Sequence, residues 1–123
     1  MIEQVVKEAA MYGEAGLQID GKGGLRRIAA GRAIRVLRML RRRGVTAQVV
    51  GSLTSGRFKD WSDVDFLVTE CPGPLKYTIE SAVEDIMLDI PFDVVYRDEA
   101  VDPILSRMES QAVDVRKLAR VAA

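Results

Sequence analysis

The segment from Leu25 to Leu40 constrains this chain more than any other. Leu25, Ile28, Ala29, Ala33, Val36, Leu37 and Leu40 recur at steps of three and four, which marks one face of an α-helix. Arg27, Arg35, Arg38 and Arg42 fall largely on the other side. A helix from Lys22 or Leu25 to Arg43, stopped by Gly44, must bury that stripe against something. The rest of the chain offers short β-branched blocks to bury it against.

Residues 45–50 predict one such strand, ending at Gly51, and residues 63–68 a second, opening on alternating acidic and apolar positions. The run Cys71-Pro72-Gly73-Pro74 breaks the chain. Residues 75–88 predict an amphipathic helix with Ile79, Ala82, Val83 and Ile86 inward, and residues 92–96 a third strand introduced by Pro91. Asp102-Pro103 opens a helix to about residue 109, since proline suits the first helical turn. The tail from Gln111 reads as a short strand around 113–115 or as a fraying helix. At the other end, residues 2–11 predict a short helix, and the five glycines within 13–24 predict a loop or hinge. The expected class is α/β (α+β), a small mixed sheet of three or four strands with helices packed on it. A single domain is expected over 1–123, with N-terminal helices in 1–43, the sheet in 45–96 and a C-terminal helix or tail in 102–123.

At 123 residues and 48% hydrophobic, the chain can bury a core of its own. Its 18 basic and 18 acidic residues cancel, but they are segregated. Between Gly21 and Lys59 there are eleven Lys or Arg and no acid; between Asp60 and Asp114 there are fourteen acids against Lys76, Arg97 and Arg107. The acidic flank is the place to expect a divalent cation. Histidine is absent, so acid–base and metal chemistry fall to carboxylates, Lys, Tyr or the single cysteine. Cys71 excludes an internal disulfide and reads as an ordinary free thiol. No apolar run reaches the ~18 residues of a membrane span. With Glu3 and Glu8 near its start the chain does not read as a secreted one, and a cytoplasmic location is expected.

Three features converge on one chemistry. Gly51-Ser52-Leu53-Thr54-Ser55-Gly56 follows a predicted strand directly. Glycine there permits a tight turn and close approach to the backbone, and Ser52 can open a short helix whose free N–H groups seat a phosphate. Asp63-Val64-Asp65 places two carboxylates on one face of a strand, an unfavourable pairing unless something neutralises it. Mg²⁺, which takes oxygen ligands, would do so. Asp93, inside the apolar block Phe92-Asp93-Val94-Val95, is costly to bury alone. If its strand lies beside that of Asp63, three carboxylates and substrate phosphates can hold two metal ions about 4 Å apart.

Gly51-Ser52, ten residues, and then Asp63-Val64-Asp65 resembles the signature of the minimal nucleotidyltransferases of the DNA polymerase β superfamily. Asp93 resembles that family's third metal ligand, and the likeness spans residues 45–96. It implies a polymerase β-like fold and an enzyme that moves a nucleotide from an NTP, expected to be ATP, onto an acceptor hydroxyl with two Mg²⁺ ions. Asp63, Asp65 and Asp93 would be the catalytic metal ligands, with Asp93 also helping to deprotonate the acceptor. Gly51, Ser52, Gly56 and Arg57 would bind the nucleotide. Many members carry arginine just before the second loop glycine; here that position is Ser55, so Arg57, or Lys59 beside it, is expected to take the task.

Stand-alone members resemble the antitoxin halves of toxin–antitoxin pairs whose toxin is an α-helical HEPN ribonuclease. The likeness therefore implies a HEPN-type partner with an acceptor tyrosine, or else a homo-oligomer. The alternative is a catalytically silent nucleotide-binding scaffold that neutralises a partner by binding. Nucleic acid is not favoured: Arg41-Arg42-Arg43 reads as a solvated helix end, without interleaved aromatics. Trp61 reads as a core anchor. Residues 16–23 approach a P-loop, but Gly23 stands where a hydroxyl is required.

Overall fold

The computed structural model describes residues 14–51, 53, 63–113 and 115–123. The short helix expected over 2–11 and the packing role expected for Trp61 lie outside them. The first element, α1 (Glu14–Arg42), is 29 residues long, about 44 Å at 1.5 Å per residue. It includes most of the segment expected as a hinge. Each glycine in a helix costs only about 1 kcal/mol against alanine. Extending a helix already nucleated downstream adds a hydrogen bond per residue without a new nucleus. The P-loop-like residues 16–23 are thus helical and form no phosphate loop.

The predicted apolar stripe is the buried face: Ala29, Ala33 and Val36 are fully inaccessible and Leu40 is nearly so. The helix ends at Gly44 (φ +81°). There the N–H of Val45 reaches Leu40 O at 2.9 Å and that of Gly44 reaches Arg41 O at 3.0 Å, the paired bonds of a Schellman stop.

The three strands are β1 (Thr46–Val50), β2 (Val64–Glu70) and β3 (Phe92–Tyr96). Their order is β1-β2-β3, with β1 antiparallel and β3 parallel to the central β2. The sheet is mixed, as expected. A parallel pair needs a crossover, and α2 (Ile79–Met87) supplies it. This helix starts four residues later than the periodicity suggests. A 3₁₀ turn at Gly73–Leu75 and a left-handed Tyr77 (φ 68°) intervene. Its buried face is Ile79, Val83 and Met87.

Two helices follow, α3 (Ile104–Ser110) and α4 (Val115–Ala122). The tail forms neither a strand over 113–115 nor a fraying end, but a single bridge and a helix. Val113 donates to Val49 O at 3.0 Å in a one-residue antiparallel bridge, and α4 begins directly after.

One sheet face builds the core. Val64, Phe66, Val68 and Tyr96 are buried among residues of α1 and α2, and Phe66 meets Phe92 edge-to-face at 6.5 Å. The alternate residues, Asp65 and Leu67 on β2 and Asp93 and Val95 on β3, occupy the opposite face. Helix α1 packs against β1, α2 and α4. No helix among the described residues is long and apolar enough to cross a membrane.

Candidate active site

Strand register places the carboxylates. Asp65 is the second residue of β2 and Asp93 the second of β3, and the parallel ladder makes them direct neighbours, with strands about 4.8 Å apart. On the other side of β2, Val50, the last residue of β1, pairs with Asp65. The turn after β1 and both strand starts therefore meet at one end of the sheet. The N–H of Val64 donates to Pro91 O at 2.9 Å, which ties the start of β2 to the approach to β3. Asp63 lies one residue before β2 and is exposed.

Burial distributes differently from the sequence expectation. Asp93 is exposed, because β3 is an edge strand and its outward face is uncovered at that end. Asp65 is the half-buried one, on the central strand. Its pKa is pushed up from 3.8 to about 6, first by burial, then by the charges of Asp93 and Asp63. The two neighbours are thus near enough to be felt. The three carboxylates do not, however, converge: among the described residues no group of three acids or thiols is gathered tightly enough to hold an ion. The donor chemistry nonetheless suits Mg²⁺, since every candidate ligand is a carboxylate oxygen and Asp65 carries an electrostatic load that a cation would relieve.

Gly51 adjoins these acids. Its φ of +94° is one that L side chains rarely adopt, and a Cβ there would lie 2.9 Å from Asp65 Oδ2. The expected close approach to this glycine is therefore made by the protein's own carboxylate. Two residues on, Leu53 is 1% exposed, and its carbonyl accepts from Arg26 Nε at 2.8 Å. Ser52, Gly56, Arg57 and Lys59 lie outside the described residues.

Sequence reasoning missed two arginines of α1. Arg26 reaches the turn after β1. Arg32, 1% exposed, donates through one Nη to Met87 O at 3.0 Å and to Asp89 Oδ1 at 3.1 Å, at the end of α2. The signal was present: Arg32 lies three and four residues from Ala29, Ile28 and Val36, inside the apolar stripe rather than opposite it. Arg35, expected on the solvent side, is half-buried with one Nη inaccessible. Arg41, Arg42 and Arg43 are exposed, as expected.

Two other concave regions lie away from the carboxylates. One, of about 480 Å³, runs between Leu37 and Arg41 of α1 and Thr46 and Ala47 of β1. The other, of about 280 Å³, is at the far end of β2 and β3 beside Lys76. Lys76 is held there by Asp98 and Glu99 at 2.9 Å, over the rings of Tyr77 and Tyr96.

No family model matches the sequence, and no curated protein matches it. Among solved structures the chain is similar to one described as "putative minimal nucleotidyltransferase". The TM-score is 0.56 and the identity 26%, over 69% of this chain and 89% of that one.

Proposed function

We propose that this chain, whose fold is that of a nucleotidyltransferase, transfers a nucleotide from an NTP to an acceptor hydroxyl at the end of the sheet where Gly51, Asp65 and Asp93 lie. The observation that carries the reading is the register: Asp65 beside Asp93 on parallel strands, with the turn after β1 against the same carboxylate. An acid alone on a strand has many explanations. A half-buried acid with two others in electrostatic reach, in a nucleotidyltransferase fold, has few.

The acceptor oxygen attacks the α-phosphorus, the bond to the β-phosphate breaks, and pyrophosphate leaves. Asp93, exposed on the edge strand, would take the proton of the incoming hydroxyl, the role the resemblance gives it. Asp65, on the central strand, would hold the ion, with Asp63, one residue before β2, as a second ligand. Mg²⁺, when bound by these carboxylates, would supply positive charge to offset that of the phosphates. Gly51 lets the turn lie against Asp65, and Ser52, Gly56 and Arg57 are assigned to the phosphates by the sequence resemblance. That resemblance also supports the finer reading: ATP as donor and a tyrosine of a helical HEPN-type partner as acceptor.

The test is incubation with α-labelled ATP and Mg²⁺, with and without cell extract, beside an Asp63→Asn/Asp65→Asn variant. Label transferred by the wild type and lost in the variant is the expected outcome, and the labelled species identifies the acceptor. No transfer from any of the four NTPs, with both forms capturing the same partner, would replace this reading with the silent scaffold.

A further inference from the structure

We propose that Arg26 is a positioning residue for the nucleotide-binding turn, holding it to α1 through the Leu53 carbonyl. The proposal rests on the nucleotidyltransferase reading and extends it to a residue outside the motifs. Arg26 and Leu53 are 27 positions apart, and the 2.8 Å bond from Nε is the contact that joins them. Leu53 is 1% exposed. A buried carbonyl needs a donor, and a guanidinium gives a charge-assisted one.

The turn is thereby fixed at two points two residues apart. Gly51 lies against Asp65 of β2, and Leu53 is bonded to α1. Ser52, which the resemblance assigns to the phosphates, falls between them in sequence. The chemistry favours this arrangement for an anionic ligand. A carbonyl oxygen facing a triphosphate would repel it. The bond to Arg26 occupies the Leu53 carbonyl within the protein. The same helix reaches the other side of the site six residues on, where Arg32 holds Met87 O and Asp89, just before the strand of Asp93. One rod thus holds both the phosphate turn and the approach to the third carboxylate.

Two substitutions isolate the bond. In Arg26→Gln the side-chain nitrogen stands as many bonds from Cα as Arg Nε does, whereas Arg26→Met puts a methyl group there. Both remove the rest of the guanidinium, so their difference reports the donor alone. Three quantities are read: hydrogen exchange of amides in residues 51–56, KM and kcat for ATP with Mg²⁺, and the melting temperature. R26M is expected to exchange faster than R26Q in that segment and to show a KM about five- to tenfold higher, roughly one hydrogen bond, with kcat within about twofold. A merely structural arginine would lower the melting temperature of both variants and leave the KM values equal.

Equal KM and equal exchange in the two variants, with an active wild type, overturn the proposal and leave the function standing. A wild type that neither binds nor consumes any NTP overturns the function and the role of Arg26 with it. If R26M does not fold, R26Q is compared with wild type: a KM within about threefold supports the tether, and a rise beyond about tenfold overturns it.

Discussion

Asp65 concentrates the electrostatics of the proposed site in one side chain. Its carboxyl binds a proton more tightly in the folded state, with a pKa of about 6 against 3.8. Stability from that group is therefore full below about pH 4 and is lost as pH rises through about 6. The other shifted groups, Lys76 and Tyr96, titrate above pH 10 and leave this window alone. We expect the melting temperature of the metal-free protein to fall between pH 4 and pH 7 by more in the wild type than in Asp65→Asn. Mg²⁺ should raise the wild-type midpoint at pH 7, lose that effect below pH 6 as protons compete, and do nothing for the variant. Melting curves across pH 4–8 with and without MgCl₂ decide it; identical pH profiles for the two proteins would remove Asp65 from this role. That Asp65 and Asp93 lie on strands was legible because alternation along a strand is a local pattern. Which of them is buried was not, because that depends on which strand is central. Asp93 looked the costlier acid in its apolar block, yet the edge position exposes it.

At the scale of elements, short-range signals were read well and interruptions poorly. Residues 92–96 form β3 with the predicted bounds, and β1 and β2 differ from their expected ends by one or two residues. Their β-branched and aromatic runs are bounded by Gly, Pro and charged positions, and that information is all within the segment. The glycines of 14–24 are not the breakers their number suggests, because α1 carries them within a helix anchored further along; Gly13 lies outside the described residues. The late start of α2 was hidden for a related reason: the left-handed turn at Tyr77 is set by packing of its backbone against Tyr96, whose hydroxyl accepts from Tyr77 N at 2.9 Å. Gly31 offers a direct check on α1. It sits within the helix, and an added Cβ would meet nothing within 4 Å. Gly31→Ala should stabilise the protein by ~0.5–1 kcal/mol, seen in urea unfolding as a higher midpoint with an unchanged slope. A lower midpoint would mean that another surface lies on that face.

The whole molecule is closed by its last helix. Leu118 of α4 is fully buried, and α4 lies against α1, so the C-terminal segment seals the helix that carries Arg26 and Arg32. Leu118→Ala should cost ~2–5 kcal/mol, measured by chemical denaturation, and should loosen exchange along α1; a loss below about 0.5 kcal/mol would show that α4 is not part of the cooperative unit. Composition predicted one core, and neighbouring strands were foreseeable as a condition of the site, but no local pattern contains the register that sets Asp65 against Asp93. That register has a kinetic meaning. Parallel partners cannot be joined by a tight turn, so the two acids come together only after residues 66–92, with α2 among them, have been laid across the sheet. Contacts of such separation form late, after loop closure has been met by other gains. A species with only β1 and β2 in place would have Asp63 and Asp65 but no third carboxylate beside them. Under the proposed function, a divalent ion would then bind only the finished chain, and by mass action it would stabilise that state over every partly folded one.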